Sequence, residues 1–191
     1  MIPIGYMAKR SCEKPKGFFI LPEVIDIYSV NTCVNDDFTD YVDYWQHNGY
    51  WFFDSPEIIQ GLARKHSIDL EGAKLFYYEA YGLEFDGENW RTFSPWGNIP
   101  VNVRPPAQRQ LEGFDVVTIW VENSPCPEHS PLSCNALARE IPTNSHCLLD
   151  SFEEAEIALN AGKFKGLDPG AQRIFAVYSV DWPLVEETAK I

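Results

Sequence analysis

Apolar and polar positions follow two periods along the chain, and the switches between them mark where strands give way to helices. In residues 36–45, Phe38, Tyr41, Val42 and Trp45 recur at three- and four-residue spacing, whereas Asp36, Asp37, Asp40 and Asp43 cluster on the opposite arc of the same wheel. An amphipathic helix is predicted there. The short apolar run 50–53 ends at Asp54-Ser55-Pro56-Glu57, where Ser55 can cap a helix, Pro56 suits its first position and Glu57 favours the positive end of the helix dipole. Ile58, Ile59, Leu62 and Ala63 line the inner side of that helix, and Arg64, Lys65 and His66 close it. Later in the chain, Ser151-Phe152-Glu153-Glu154 fits a capping box, with Phe152, Ala155 and Leu159 at buried spacing. Residues 75–85 and 174–182 are rich in aromatic and β-branched side chains and read as strands.

Laying residues 37–57 over 133–153 without a gap places Asn48, Asp54, Ser55 and Glu57 on Asn144, Asp150, Ser151 and Glu153, and Phe52-Phe53 on Leu148-Leu149. Upstream, 26–30 resembles 115–119 if a longer loop is allowed in the second copy, and downstream Gly72-Ala73 and Gly170-Ala171 each precede an apolar strand. The shared order predicts a duplication. The expected fold is α+β, with two related units of strand, helix, strand, helix, strand, each holding a mixed sheet with helices on one side; α/β is the alternative, because alternating elements also permit parallel crossovers. The first unit spans 1–93 with an N-terminal strand, and the second spans 111–191. Residues 94–110, whose prolines and glycine prevent a continuous helix or central strand, form the connector.

Composition narrows the function classes. The 28 acidic side chains outnumber the 15 basic ones, giving −13, with −9 carried by residues 24–93 and −7 by 111–183. A nucleic-acid binder that neutralises phosphates needs the opposite sign. No apolar run approaches the roughly 20 residues of a membrane span. The basic pair Lys9 and Arg10 follows the first apolar stretch, the wrong order for a secretory signal, so a cytoplasmic protein is expected. Five cysteines without a CxxC pair read as reduced thiols.

The acidic arc Asp36, Asp37, Asp40 and Asp43, with Tyr44 beside it, is the candidate partner-binding face, since one sign of charge steers encounter and an aromatic anchors it; a merely solvated helix face is the competing reading. Cys126, His129, Cys134, His146 and Cys147 are metal-type ligands, but their spacing matches no common zinc finger or ribbon, and neither a metal nor a cofactor is expected. Cys134 could be a nucleophile with His146 or His129 as base, the alternative enzymatic site. The chain has no GxGxxG, phosphate loop, GxSxG, HExxH or calcium loop. The leading expectation is a non-enzymatic acidic protein that binds a basic protein, as an immunity or antitoxin-type neutraliser. The alternative is a small enzyme with a Cys/His site in the second unit or between the units.

Overall fold

The computed structural model describes residues 1–10, 24–30, 48–95, 99–119 and 128–183. In chain order the elements are β1 (Ile2–Arg10), α1 (Pro56–His66), β2 (Ala73–Phe85), β3 (Trp90–Thr92), β4 (Gln110–Ile119), β5 (Glu128–His129), the short α2 (Pro131–Cys134), a 3-10 turn (Leu137–Arg139), α3 (Phe152–Asn160) and β6 (Gln172–Val180). The strands form one sheet in the order β1-β2-β6-β4-β5, with β3 folded back on the end of β2. Every pairing is antiparallel. The sheet curls into a half-barrel.

This architecture corrects the expected α+β pair of units with a mixed sheet in each, and the α/β alternative with it. Hydrophobic period identifies a strand but not the direction of its neighbour, and here β2 and β6, read as the last strands of separate units, are hydrogen-bonded to each other at the centre of a common sheet. Residues 26–30 are not a strand either. They cross one face of the sheet as an irregular segment, with the Ile25 and Tyr28 amides donating to the carbonyls of Ser145 (2.8 Å) and His146 (3.0 Å). The helix predicted over 36–45 lies outside the described residues.

What the aligned stretches share is a local motif built twice into the sheet. Asn48 and Asn144 each begin a tight turn in which the side-chain oxygen accepts two backbone amides, those of Tyr50 and Phe52 in one case and His146 and Leu148 in the other. Each side-chain amide reaches back to a strand carbonyl, Ile4 O at 2.8 Å and Glu112 O at 2.9 Å. The turn then bridges to the adjoining strand through Tyr6–Phe53 and Phe114–Leu149, and a helix starts at once. The strand that corresponds to β4 is therefore β1, with matching bulges at Gly5 and Gly113. The motifs stand back to back about the Tyr78–Val177 pair, because Gly5 opposes Tyr78, Gly113 opposes Val177, and Tyr78 opposes Val177.

Both long helices cover the same face of the sheet. Ile59 and Leu62 of α1 pack with Tyr6, Leu75 and Tyr77, and Ala155 and Leu159 of α3 pack with Val116, Ile174 and Leu149. The opposite, inner face is aromatic, with Phe76, Tyr78 and Phe175 roofed by Tyr28, Tyr50 and Phe93. Ser151 caps α3 as expected: its hydroxyl accepts the Glu154 amide at 3.2 Å, and the Glu154 carboxylate accepts the Asp150 amide at 3.0 Å. Ser55 occupies the N-cap position of α1 without a side-chain bond to the helix. Ser151→Ala should therefore cost about 1 kcal/mol and Ser55→Ala only a few tenths, roughly, in reversible denaturation. Equal losses at both would mean that the hydroxyl bond contributes nothing.

Candidate functional site

Asp36, Asp37, Asp40, Asp43 and Tyr44, the predicted partner-binding residues, lie outside the described residues. Cys134 and His146, the enzymatic alternative, are both described, and no hydrogen bond joins them. Cys134 is the last residue of α2, a helix of four residues, so it sits at the wrong end for activation by a helix dipole. His146 lies in the Asn144 turn, its ring stacked on Tyr28 with centroids 4.0 Å apart and its Nε2 3.9 Å from Glu112 Oε2. His129 pairs instead with Asp168 at 2.9 Å. The Cys147 thiol is buried and pushed up to about 12, first by desolvation and then by the nearby Asp115 charge, which disfavours the thiolate a metal or an electrophile would need. Among the described residues no group of three or more His, Cys, Asp or Glu side chains is placed to hold a metal ion.

A concentration of buried polar groups lies on the inner face, amid side chains that are otherwise aromatic and aliphatic. Lys9, Tyr78, Asp115 and Glu128 are brought there by β1, β2, β4 and β5, and all are buried. Asp115 is well served. Its two oxygens accept the Ser130 hydroxyl at 2.6 Å and the Val30 amide at 2.7 Å, and Ser29 joins Ser133 through their hydroxyls at 2.7 Å. Lys9 Nζ donates to the Ser29 carbonyl. These bonds fasten segment 24–30 across the mouth of the half-barrel, and Lys74 adds a second clasp by donating to Asp26 at 3.0 Å and to the Tyr28 hydroxyl.

Electrostatically the acids of this cluster are strained. Burial raises Asp115 to about 6 in spite of the Ser130, Val30 and Lys9 contributions that favour its charged form. Glu128 fares worse: burial raises it to about 8 against the pull of its own backbone amide and of Lys9, and no other described residue hydrogen-bonds either carboxylate oxygen. The Tyr78 phenol, also without a hydrogen-bond partner among the described residues, is held well above its usual range by burial and by both acids. The chemistry available is proton storage and the anchoring of one segment. Sequence reading passes over these residues, although Asp115 stands in phase with Val117 on an otherwise apolar strand face, which is a legible signal of a buried acid.

On the helix side, a second polar knot holds the connector. Arg109 bonds Glu79 at 2.7 Å and lies over the rings of Tyr77 and Tyr178, while both phenols donate to Glu79. Beyond α3 the surface opens into an apolar groove of about 290 Å³ between Ile141, Pro142 and Leu149 on one wall and Ile157, Ala158 and Ala161 on the other. Glu140 and Glu154 stand on its rim, with Lys163 at its border. No helix of the described residues is long and apolar enough to cross a membrane. No family model, curated protein or solved structure matches the chain.

Proposed function

We propose that this chain is a non-enzymatic, cytoplasmic interaction protein that binds a basic protein, in the manner of an immunity or antitoxin-type neutraliser. The observation that carries the reading is the net charge of −13, which ion pairs within the protein leave unchanged and which has the wrong sign for a nucleic-acid or anionic-membrane partner. A chain so charged attracts cationic partners at a rate that falls with ionic strength. The enzymatic alternative has less support, since Cys134 and His146 each have other surroundings and share no bond.

The test addresses the acidic arc directly. A basic partner is captured from the native host at low salt and identified, and its association rate is measured against wild type and against the triple variant Asp36→Asn, Asp40→Asn, Asp43→Asn. The variant should associate about tenfold more slowly at low ionic strength, with a flatter salt dependence, while its thermal midpoint stays unchanged. Identical association rates at every salt concentration would remove the arc from the interface.

A further inference from the structure

Four features of the groove beside α3 point outward. Ile157 is 67% exposed, the second highest exposure of any large apolar side chain in the described residues. The duplicated motif gives this exposure a reference, because the aligned position on α1 is Gly61, where a helix of eleven residues forms without any side chain and nothing lies within 4 Å of a built Cβ. Neither helix formation nor core packing therefore requires an isoleucine at this site. The groove behind it is lined by Ile141, Leu149 and Ala158, and at about 290 Å³ it has room for one or two aliphatic side chains, at the lower limit of what a small-molecule pocket offers. Its margin is acidic on balance: Glu140 and Glu154 line it with Lys163, and of the exposed neighbours along the chain Asp150 and Glu153 adjoin Glu154, while Arg139 adjoins Glu140 and Lys165 follows Lys163.

We propose that this groove docks a short segment of the basic protein partner, one that inserts one or two aliphatic side chains against Ile157 and places flanking Lys or Arg beside Glu140 and Glu154. The inference rests on the proposed function and deepens it by supplying the apolar anchor that charge alone lacks. Charge steers the encounter; a desolvated aliphatic contact at the centre of a polar rim sets the dissociation rate. Charge complementarity decides the occupant, because a second copy of this chain would bring acids to an acidic rim and be repelled.

The experiment uses the full chain, labelled at its Ile and Leu methyl groups, and three synthetic peptides. One is an amphipathic peptide of leucines at helical spacing with lysines between them, one keeps the leucines and replaces every lysine by glutamate, and one keeps the lysines and replaces every leucine by serine. The Leu–Lys peptide should shift the methyl signals of Ile141, Leu149 and Ile157, and the Leu–Glu peptide should leave them in place. Ile157→Lys should weaken Leu–Lys binding about tenfold or more, equivalent to about 1.4 kcal/mol, with no change in thermal midpoint, since the side chain is largely exposed. Equal shifts with the Leu–Glu peptide, or Leu–Lys shifts confined to other methyl groups, overturn the groove proposal. Binding of the Lys–Ser peptide as tight as that of the Leu–Lys peptide overturns the groove while leaving the acidic-surface reading intact; no binding of either lysine peptide counts against both. Groove signals that broaden with protein concentration before any peptide is added would identify the occupant as a second copy and overturn the proposal as well.

Discussion

Replacing Gly113 by alanine should destabilise the protein by about 3 to 5 kcal/mol, a large fraction of the roughly 5 to 15 kcal/mol that holds a domain of this size together. Two costs combine. The residue has φ +150°, a conformation that side chains rarely adopt, and a Cβ built there would stand 2.7 Å from the Leu149 carbonyl oxygen and 2.8 Å from the Leu148 Cβ. Neither contact can yield cheaply, because the Leu149 carbonyl is the acceptor for the Phe114 amide in the bridge that seats the turn on β4. Gly5→Ala should behave alike, with φ +145° and distances of 2.6 Å to both Phe53 O and Phe52 Cβ. The internal control is Gly61→Ala on α1, where open space and a helical backbone predict a gain of about 0.5 to 1 kcal/mol. Urea denaturation of the three variants measures all of it. A Gly113→Ala protein within about 1 kcal/mol of wild type would show that the turn does not press on the strand as closely as the bulged register requires.

The same bulges explain how far the fold could be read from the chain. The Ser at the N-cap position and the helix that follows were legible because they are local, and the gapless alignment matched Asn48 with Asn144 without revealing the turn that each builds by bonding amides two and four residues ahead, in the first copy within the run 50–53 that reads as apolar. The strand that receives each turn was not legible. Gly5 is separated from Asn48 by more residues than Gly113 is from Asn144, and no fixed offset aligns both the glycines and the asparagines. Residues 26–30 look like 115–119 in composition, yet their polar members serve as fasteners: Asp26 accepts Lys74, Ser29 joins Ser133, and the Val30 amide donates to Asp115. The adjacency of β2 and β6 was equally hidden, since an alternating pattern says which face is buried and nothing about the neighbouring strand's direction.

The interior acids had a signal that periodicity supplies and charge counting obscures. Counted as part of a −13 surface, Asp115 and Glu128 look like solvated charges, but both are fully buried. Distinguishing a buried acid from a surface one requires the strand phase, and β5 is only two residues long, too short to show a phase of its own. The groove had a partial signal: at 100° per residue Ile157 falls on the arc opposite Phe152, Ala155 and Leu159, an apolar side chain on the solvent face of α3, whereas Ile141 and Leu149, which complete the lining, lie outside the helix and are brought to it only by the fold.

Glu128→Gln should stabilise the protein increasingly as pH rises, by about 3 kcal/mol or more near pH 9 and by little near pH 5. In the unfolded chain this carboxyl loses its proton in the ordinary range near about 4.3, whereas in the folded protein burial keeps the proton on until about 8. A carboxyl whose folded value is raised binds more protons in the folded state between those limits. Wild-type stability therefore has its full value below the unfolded pKa, falls as pH climbs through the interval, and reaches its lower plateau above about 8. Every tenfold difference in proton affinity between the folded and unfolded chain corresponds to about 1.4 kcal/mol. Glutamine has nearly the same shape and no proton to lose, so the variant should lack most of this slope. The groups that bear on Glu128 are its own backbone amide and Lys9, which favour its charged form, and the Tyr78 phenol, whose ionisation the Glu128 charge opposes. Asp115, raised to about 6, should leave a smaller residual slope in the variant between about pH 4 and 6. The measurement is a set of reversible denaturation curves for wild type and Glu128→Gln across about pH 5 to 9, with Asp115→Asn added to identify the residual slope. Parallel pH profiles for wild type and Glu128→Gln would mean that Glu128 is ionised in the folded protein at neutral pH and is neutralised or hydrated by groups beyond those described. In that case the inner-face cluster would be a set of paired charges and could not serve as the proton store that its burial implies.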